Sequence, residues 1–596
     1  MKATGLDLPS LRAAYDAGLD PHALIDMVFD RIAAANDPGI FISLRPRNEV
    51  HADVARLGPR QSPLWGAPFA IKDNIDMAGL PTTAACPDFA YAPAEDAFCV
   101  ARLRAAGAIA IGKTNLDQFA TGLVGLRTPY PPPKNAFDPA VAPGGSSSGS
   151  AVAVARDLVS FALGTDTAGS GRVPAGLNNL VGLKPTLGAV STRGVVPACR
   201  TLDCVSVFAL TVEDAWDVFS VAAGYDAADP YSRAMRSGAP AMSLRRQHLA
   251  IPDAASLKFG GDVLSQKAFE RHVAQLQALG ATVSEISLAP FFETAGLLYH
   301  GPWVAERHAA VRAFLESNPH SFLPVTRGII AGAGKFSATD AFEGQYRLAA
   351  LRRAASACLN GVDALVVPTF PRPRSVADIL ADPLRPNTEL GTYTNFVNLL
   401  DLCALAVPGR FRGDDFPAGV TFIAPAGEDH RLAGLGAAFQ RASRTPLGAT
   451  GRAPAASTFA EVAASDDIEL VVVGAHMSGL PLNRELTELG GVFLRAVETA
   501  PHYRFFALPG GPPFRPGLLR VATGTGVSIA TEVWSLSPAA FGAFVSRIPA
   551  PLGIGTLLLA DGTSPKGFLV EAEAVRGADD ISSYGGWRAY MAARAA

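Results

Sequence analysis

The chain has 596 residues, 49% of them hydrophobic and 18% charged, with a formal net charge of −3. That length exceeds one ordinary core, so at least two domains are expected. The absence of any Lys/Arg-rich run excludes a nucleic-acid binder, which needs a concentrated basic footprint, and no apolar run approaches the roughly 20 residues of a membrane-spanning helix.

Met1–Ser10 carries one lysine and no apolar core, so it does not read as a signal peptide. From Pro9 to Ala35 the spacing predicts two helices, marked by Leu11 and Ala14, then Leu24, Ile25 and Val28. Asp20–Pro21 supplies an N-cap and a first helical position between them. Pro68–Ile71 and Ala108–Ile111 read as short strands, and Val100–Ala106 as a helix. A proline-rich loop, Pro129–Pro143, leads into a serine-glycine stretch, after which Ser150–Ala155 has the composition of a tightly packed helix. His248–Pro252, Val263–Leu279 and Ala281–Leu288 form a strand–helix–strand unit, and Ala364–Pro368 and Gly419–Ile423 are further apolar strands. Such alternation predicts an α/β domain, a mixed sheet flanked by helices, over residues 1–442. Residues 443–465, rich in Ala, Pro, Gly, Ser and Thr, read as a linker. Ile468–Val473, Leu518–Thr523, Ser528–Trp534 and Gly567–Ala574 then predict a smaller α+β domain over 466–596. The six cysteines (Cys86, Cys99, Cys199, Cys204, Cys358 and Cys403) form no C-x-x-C pair, so buried free thiols are expected, with no metal site and no disulfide framework.

Gly144–Gly145–Ser146–Ser147–Ser148–Gly149–Ser150 and Gly164–Thr165–Asp166–Thr167–Ala168–Gly169–Ser170–Gly171–Arg172 carry the chemistry. A flexible Gly/Ser linker is a poor account, because a small-residue helix and a second glycine-rich turn follow at once. Gly145–Ser147–Gly149 satisfies G-x-S-x-G, but that nucleophile elbow requires a strand before it. Pro139 and Pro143 argue against one. The remaining reading takes Ser146 and Ser170 and seeks a base. Lys72 closes an apolar strand, where desolvation favours its neutral form; most lysines are simply surface residues, and the two serines tip the balance.

Ala70–Ile71–Lys72–Asp73–Asn74 and the two serine-glycine segments together resemble the amidase signature family. Lys72 and Ser146 are 74 residues apart, and Ser146 and Ser170 are 24 apart. The resemblance continues through Gly182–Thr186, Gly194–Pro197, Asn398–Pro408 and Glu428–Asp429, covering roughly residues 1–440. It implies Ser170 as nucleophile, Ser146 as a bridging serine on a cis peptide and Lys72 as base. Backbone N–H groups of Thr167, Ala168 and Gly169 would form an oxyanion hole, with Asp166 and Arg172 bracing the turn.

Within the family, Phe119–Gly125, Gly194–Ser206 and the domain after residue 465 resemble the allophanate hydrolases. That likeness implies substrate contacts from Tyr299 and Arg307, with backbone at Gly122 or Gly125 closing the pocket; a guanidinium fork suits a carboxylate. Without the likeness, pairing of Arg307 with an acid on a solvated face is an equal alternative. The second domain resembles a gamma-glutamyl-cyclotransferase-like fold, and its His476, just past a strand end, is implicated in breaking down the first product, N-carboxycarbamate. Glu532, Lys566 and Tyr584 are further polar candidates near the cavity that His476 can face, although the sequence gives them no geometry. The resemblance thus implies a cytoplasmic amidohydrolase of urea degradation that needs no cofactor. Its partners would be a small-molecule substrate, a urea carboxylase and a second copy in a homodimer, with no nucleic acid and no membrane. The alternatives are another small-molecule amidase or a glutamine amidotransferase subunit of the same family.

Overall fold

Short runs of uniformly apolar or small residues suit strands covered on both faces, and the first part of the chain is built from them. The computed structural model describes residues 4–235, 238–240, 242–245, 247–459 and 467–595. Two compact units divide the chain, residues 1–460 and 461–596.

Among the described residues, the first unit holds eleven strands: β1 (Phe41–Leu44), β2 (Pro68–Lys72), β3 (Ile109–Thr114), β4 (Phe161–Asp166), β5 (Val181–Lys184), β6 (Cys204–Ala209), β7 (His248–Pro252), β8 (Thr282–Ile286), β9 (Ala364–Pro368), β10 (Leu402–Pro408) and β11 (Gly419–Pro425). They form one mixed sheet in the order β1-β3-β2-β4-β6-β5-β10-β11-β9-β7-β8. Its centre decides the site. β2 runs parallel to both β3 and β4, with Ile71 opposite Leu163, so the carboxyl ends of β2 and β4 lie side by side. The helix Ser148–Ala155 packs over these strands, and all eight of its small residues are buried.

The N-terminal pair of helices is Leu8–Asp16 and Pro21–Ala35, and the Asp20 carboxylate caps the second by accepting from His22 N–H. β7 and β8 are parallel and joined by the helix Val263–Ala278, giving the expected strand–helix–strand unit at one edge of the sheet. Residues 443–459, which read as linker, belong to the first unit: Arg452 pairs with Asp7 at 2.5 Å and Asp157 at 2.9 Å, and the Ser457 hydroxyl donates to Glu213. Leu447 is buried in the main core and Phe459 packs against it, two isolated apolar residues that make no period. Residues 460–465 of the expected linker, and residue 466 at the start of the expected second domain, lie outside the described residues.

In the second unit, β12 (Ile468–Val472), β13 (Val492–Glu498), β16 (Ala530–Leu536), β17 (Leu552–Thr556) and β18 (Lys566–Val570) form a sheet in the order β13-β16-β12-β18-β17. β14 (Tyr503–Ala507), β15 (Pro516–Arg520) and β19 (Asp579–Asp580) form another, in the order β15-β14-β19. Leu470, Val471, Val472, Phe505, Val533 and Trp587 share its core. The strand expected over Gly567–Ala574 stops at Val570, and Ala572–Val575 is a short 3₁₀ turn. All six cysteines are free thiols, and Cys358 alone is not fully buried.

Candidate active site

β2 ends on Lys72 in the middle of the sheet, where its side chain is fully buried. Lys72 Nζ donates to Ser146 Oγ and to Thr165 Oγ1, both at 2.7 Å. Thr165 comes from the neighbouring β4, so the parallel pairing of β2 and β4 sets this contact. Burial pushes the Lys72 pKa down to about 7, against the raising pull of Asp117, Asp166 and Asp203. A substantial fraction of the amine is then neutral near pH 7 and can accept a proton.

The serine-glycine stretch is not a linker: residues 142–150 are all buried. It is not a nucleophile elbow either, since the segment before it forms no strand and Val141 makes only an isolated bridge to Ser375. The Gly145–Ser146 peptide is cis, and the hydroxyl of Ser146 meets Lys72.

β4 delivers the second serine. Beyond Asp166 the chain turns sharply through Thr167–Arg172, and Ser170, buried at the turn, donates from Oγ to the Gly122 carbonyl at 3.4 Å. Handing that proton to Ser146 therefore requires the hydroxyl to swing away from Gly122. Gly169 has φ +135, and a Cβ there would run into Thr394, so only glycine fits.

Asp166 and Arg172 brace the turn. Arg172 Nε and Nη2 reach the two Asp166 oxygens at 2.9 Å each, and Asp166 also accepts from the Gly169 and Gly171 amides at 2.8 and 3.0 Å. Burial would raise the Asp166 carboxyl, but Arg172 holds it below its ordinary value. This brace bears on the three amides expected as an oxyanion hole. The Gly169 N–H is engaged by Asp166, leaving Thr167 and Ala168 of the three expected oxyanion donors outside the brace. Thr167 is fixed by its side chain, which donates to Asp203 at 2.5 Å; burial pushes the Asp203 carboxyl up to about 6.

Arg307 enters from the helix Trp303–Ser317, on its second turn. Its side chain is buried. Nη1 donates to Thr121 Oγ1 at 3.2 Å and Nη2 to Tyr299 Oη at 3.5 Å, the guanidinium lies over the Tyr299 ring, and Nε has no partner. Among the described residues Arg307 makes no ion pair. The alternative of a solvated salt bridge is therefore overturned. Of the two glycines expected to close the pocket, Gly122 contributes its carbonyl at Ser170. Gly125 instead spends its N–H on Asp117 at 3.0 Å and packs against Gly144 and Ser148.

In the second unit His476 follows β12 and lines a cavity of about 230 Å³ with Glu485, Arg515, Arg547, Phe544 and Phe568. Its Nε2 lies 3.1 Å from Glu485 Oε2, and its ring stacks on Phe568. Burial lowers its pKa, against the pull of Glu485, which favours the neutral imidazole. Glu532, Lys566 and Tyr584 do not line this cavity. Glu532 accepts from Ser478, Trp534 and Arg588, while the Lys566 ammonium donates to Thr556. The residues that do line it, Glu485, Arg515 and Arg547, lie 9 to 71 positions from His476 with no shared motif. Thr165, Asp117 and Asp203 in the first unit likewise escape sequence reasoning, because a lone Thr or Asp gives no spacing signal.

A family model described as Amidase matches residues 24–433. The chain belongs to the amidase family. In this amidase a second model, described as the allophanate hydrolase C-terminal domain, matches residues 468–592. The urea amidolyase of Saccharomyces cerevisiae is 44% identical over 587 residues, covering 95% of this chain; the chain spans 32% of that relative's length. The crystal structure of Kluyveromyces lactis allophanate hydrolase is 40% identical, covers 98% of each chain and superposes with a TM-score of 0.72. A glutamyl-tRNA(Gln) amidotransferase subunit of Thermus thermophilus is 35% identical, covering 69% of this chain and 93% of its own. That amidotransferase match stops short of the full length, whereas the allophanate hydrolase likeness runs through both units. Among the described residues, no helix of this amidase is long and apolar enough to cross a membrane.

Proposed function

We propose that the chain is an allophanate hydrolase of urea degradation. Lys72, neutral, draws the proton of Ser146, and Ser146 draws that of Ser170 as its Oγ attacks the terminal amide carbon. The Thr167 and Ala168 amides face the oxyanion. The ammonium formed at Lys72 returns the proton to the leaving nitrogen, and water then releases the acyl group by the same relay. The net step is allophanate plus water to ammonium and the N-carboxycarbamate dianion.

One observation carries the choice of substrate: Arg307 is a buried guanidinium whose hydrogen-bond partners are all neutral, with Asp203 and Glu306 acting on it only from beyond ion-pair distance. A buried cation with no directly paired carboxylate has open donors for one, and a small substrate with an amide at one end and a carboxylate at the other fits that demand. Similarity to K. lactis allophanate hydrolase over both units supports the same reading.

In the second unit, His476 promotes loss of carbon dioxide: N-carboxycarbamate plus a proton gives carbamate and carbon dioxide, and carbamate plus a proton gives ammonia and carbon dioxide. Further parts of the proposal are a cytoplasmic location, a urea carboxylase as the source of allophanate, and a homodimer. Light scattering and co-purification test the last two.

The direct test is ammonia release by the full chain from allophanate, malonamate, biuret and glutamine. Preference for allophanate is expected. Preference for glutamine would favour the amidotransferase reading, to which the Thermus likeness points.

A further inference from the structure

Asp117 follows β3 and is fully buried beside the proposed relay, yet no step above uses it. Its backbone N–H donates to the Ser146 carbonyl at 3.0 Å. Its carboxylate accepts the Gly125 amide at Oδ2, 3.0 Å, and the Arg127 amide at Oδ1, 2.8 Å. Two glycines give way to the same oxygen. A Cβ at Gly122 would stand 2.6 Å from Oδ2, and one at Gly145 would stand closer still. Gly122 supplies the carbonyl that meets Ser170 Oγ, and Gly145 precedes Ser146. The Gly145 amide in turn donates to Leu123 O at 2.9 Å, so the two loops are tied to each other as well as to Asp117.

We propose that Asp117 is a positioning residue for the reaction, its carboxylate setting the Gly122–Gly125 loop against Ser170 and the Gly145–Ser146 segment against Lys72. The inference rests on the Lys72–Ser146–Ser170 reading. Both carboxylate oxygens accept N–H groups, which suits the ionised form. Burial raises the Asp117 carboxyl, and Arg127 opposes that rise. The charged groups acting on Lys72 are Asp117 first, then Asp166 and Asp203, which hold its ammonium up, and Arg307, which pushes it down. Asp117 thereby has a second effect: its charge limits how far Lys72 falls below the ordinary lysine value.

A purely structural residue and this one differ in a pH profile. Productive chemistry needs neutral Lys72, so kcat/KM for allophanate rises with pH along an acid limb. Asp117→Asn keeps the size and removes the charge. The limb should move to lower pH by about one unit, while kcat falls on the order of 10²-fold as the loops lose their shared anchor. Asp117→Glu keeps the charge and displaces the carboxylate, so kcat should fall with the limb in place. Wild-type kcat in Asp117→Asn, or a reduced kcat with an unmoved limb, overturns the role. Ser170→Ala is the control for the underlying reading: if it is inactive while the Asp117→Asn limb stays put, only the Asp117 inference fails. Should Asp117→Asn not fold, Gly122→Ala presses the same carboxylate from the other side. A lowered kcat supports the clamp, and an unchanged kcat removes it.

Discussion

Lys72 Nζ and Ser146 Oγ stand 2.7 Å apart although 74 residues separate them. The end of β2 supplies one, and the turn before the helix Ser148–Ala155 supplies the other. Burial of the amine outweighs the pull of Asp117, Asp166 and Asp203 and brings its pKa down to about 7.

The pH dependence of the first step follows directly. Lys72 must be neutral to act as base, so kcat/KM should halve near pH 7 and fall about tenfold for each further unit of acid. Steady-state ammonia release from pH 5.5 to 9 checks this. A flat profile across pH 6–8 contradicts a lysine base.

Removing the nucleophile should cost far more than removing a brace. Ser170→Ala is expected to lower kcat by about 10⁴-fold or more with an unchanged circular dichroism spectrum and melting temperature, since one buried hydroxyl is lost. Residual activity above about a tenth of wild type would exclude Ser170 as the attacking group.

Arg307→Ala should raise KM for allophanate on the order of 10- to 100-fold, the loss of a charge-assisted hydrogen bond. Biuret has no carboxylate, and its KM should move much less. Equal effects on both substrates would mean that Arg307 serves packing.

The Asp166–Arg172 pair should dominate the stability of the turn. Arg172→Met strands a fully buried carboxylate and is expected to cost about 3–5 kcal/mol, read as a lower first transition in calorimetry. An unchanged transition would show that Asp166 finds other partners.

For the second unit, His476→Ala should leave the first ammonia of allophanate unaffected and slow the appearance of the second. Stopped assays at short times separate the two. Identical time courses for wild type and variant would remove His476 from the reaction.

Much of this is legible in the sequence because the informative signals are local. Asp20–Pro21 caps a helix, Ser150–Ala155 is small enough only for a buried helix, and Pro68–Lys72 is a short apolar run ending on a charge. β5, β6 and β10 are covered on both faces, so no alternation betrays them. The serines and Lys72 stand out through motif order, and Arg307 only through the likeness to the allophanate hydrolases. Asp117 does not, since its meaning lies in two glycines, Gly122 and Gly145, that fold back onto one of its oxygens. Gly169 shows a related limit: the family likeness offers its amide at the turn, but nothing local in the sequence reveals Asp166, which takes that hydrogen bond in this structure.

The relay itself is tested most directly by labelling with a serine-reactive fluorophosphonate across pH 5.5 to 9, with the modified peptide located by mass spectrometry. The adduct should sit on Ser170, and its rate of formation should rise with pH through about 7 as Lys72 gives up its proton. An adduct on Ser146, or a labelling rate indifferent to pH, would contradict the account.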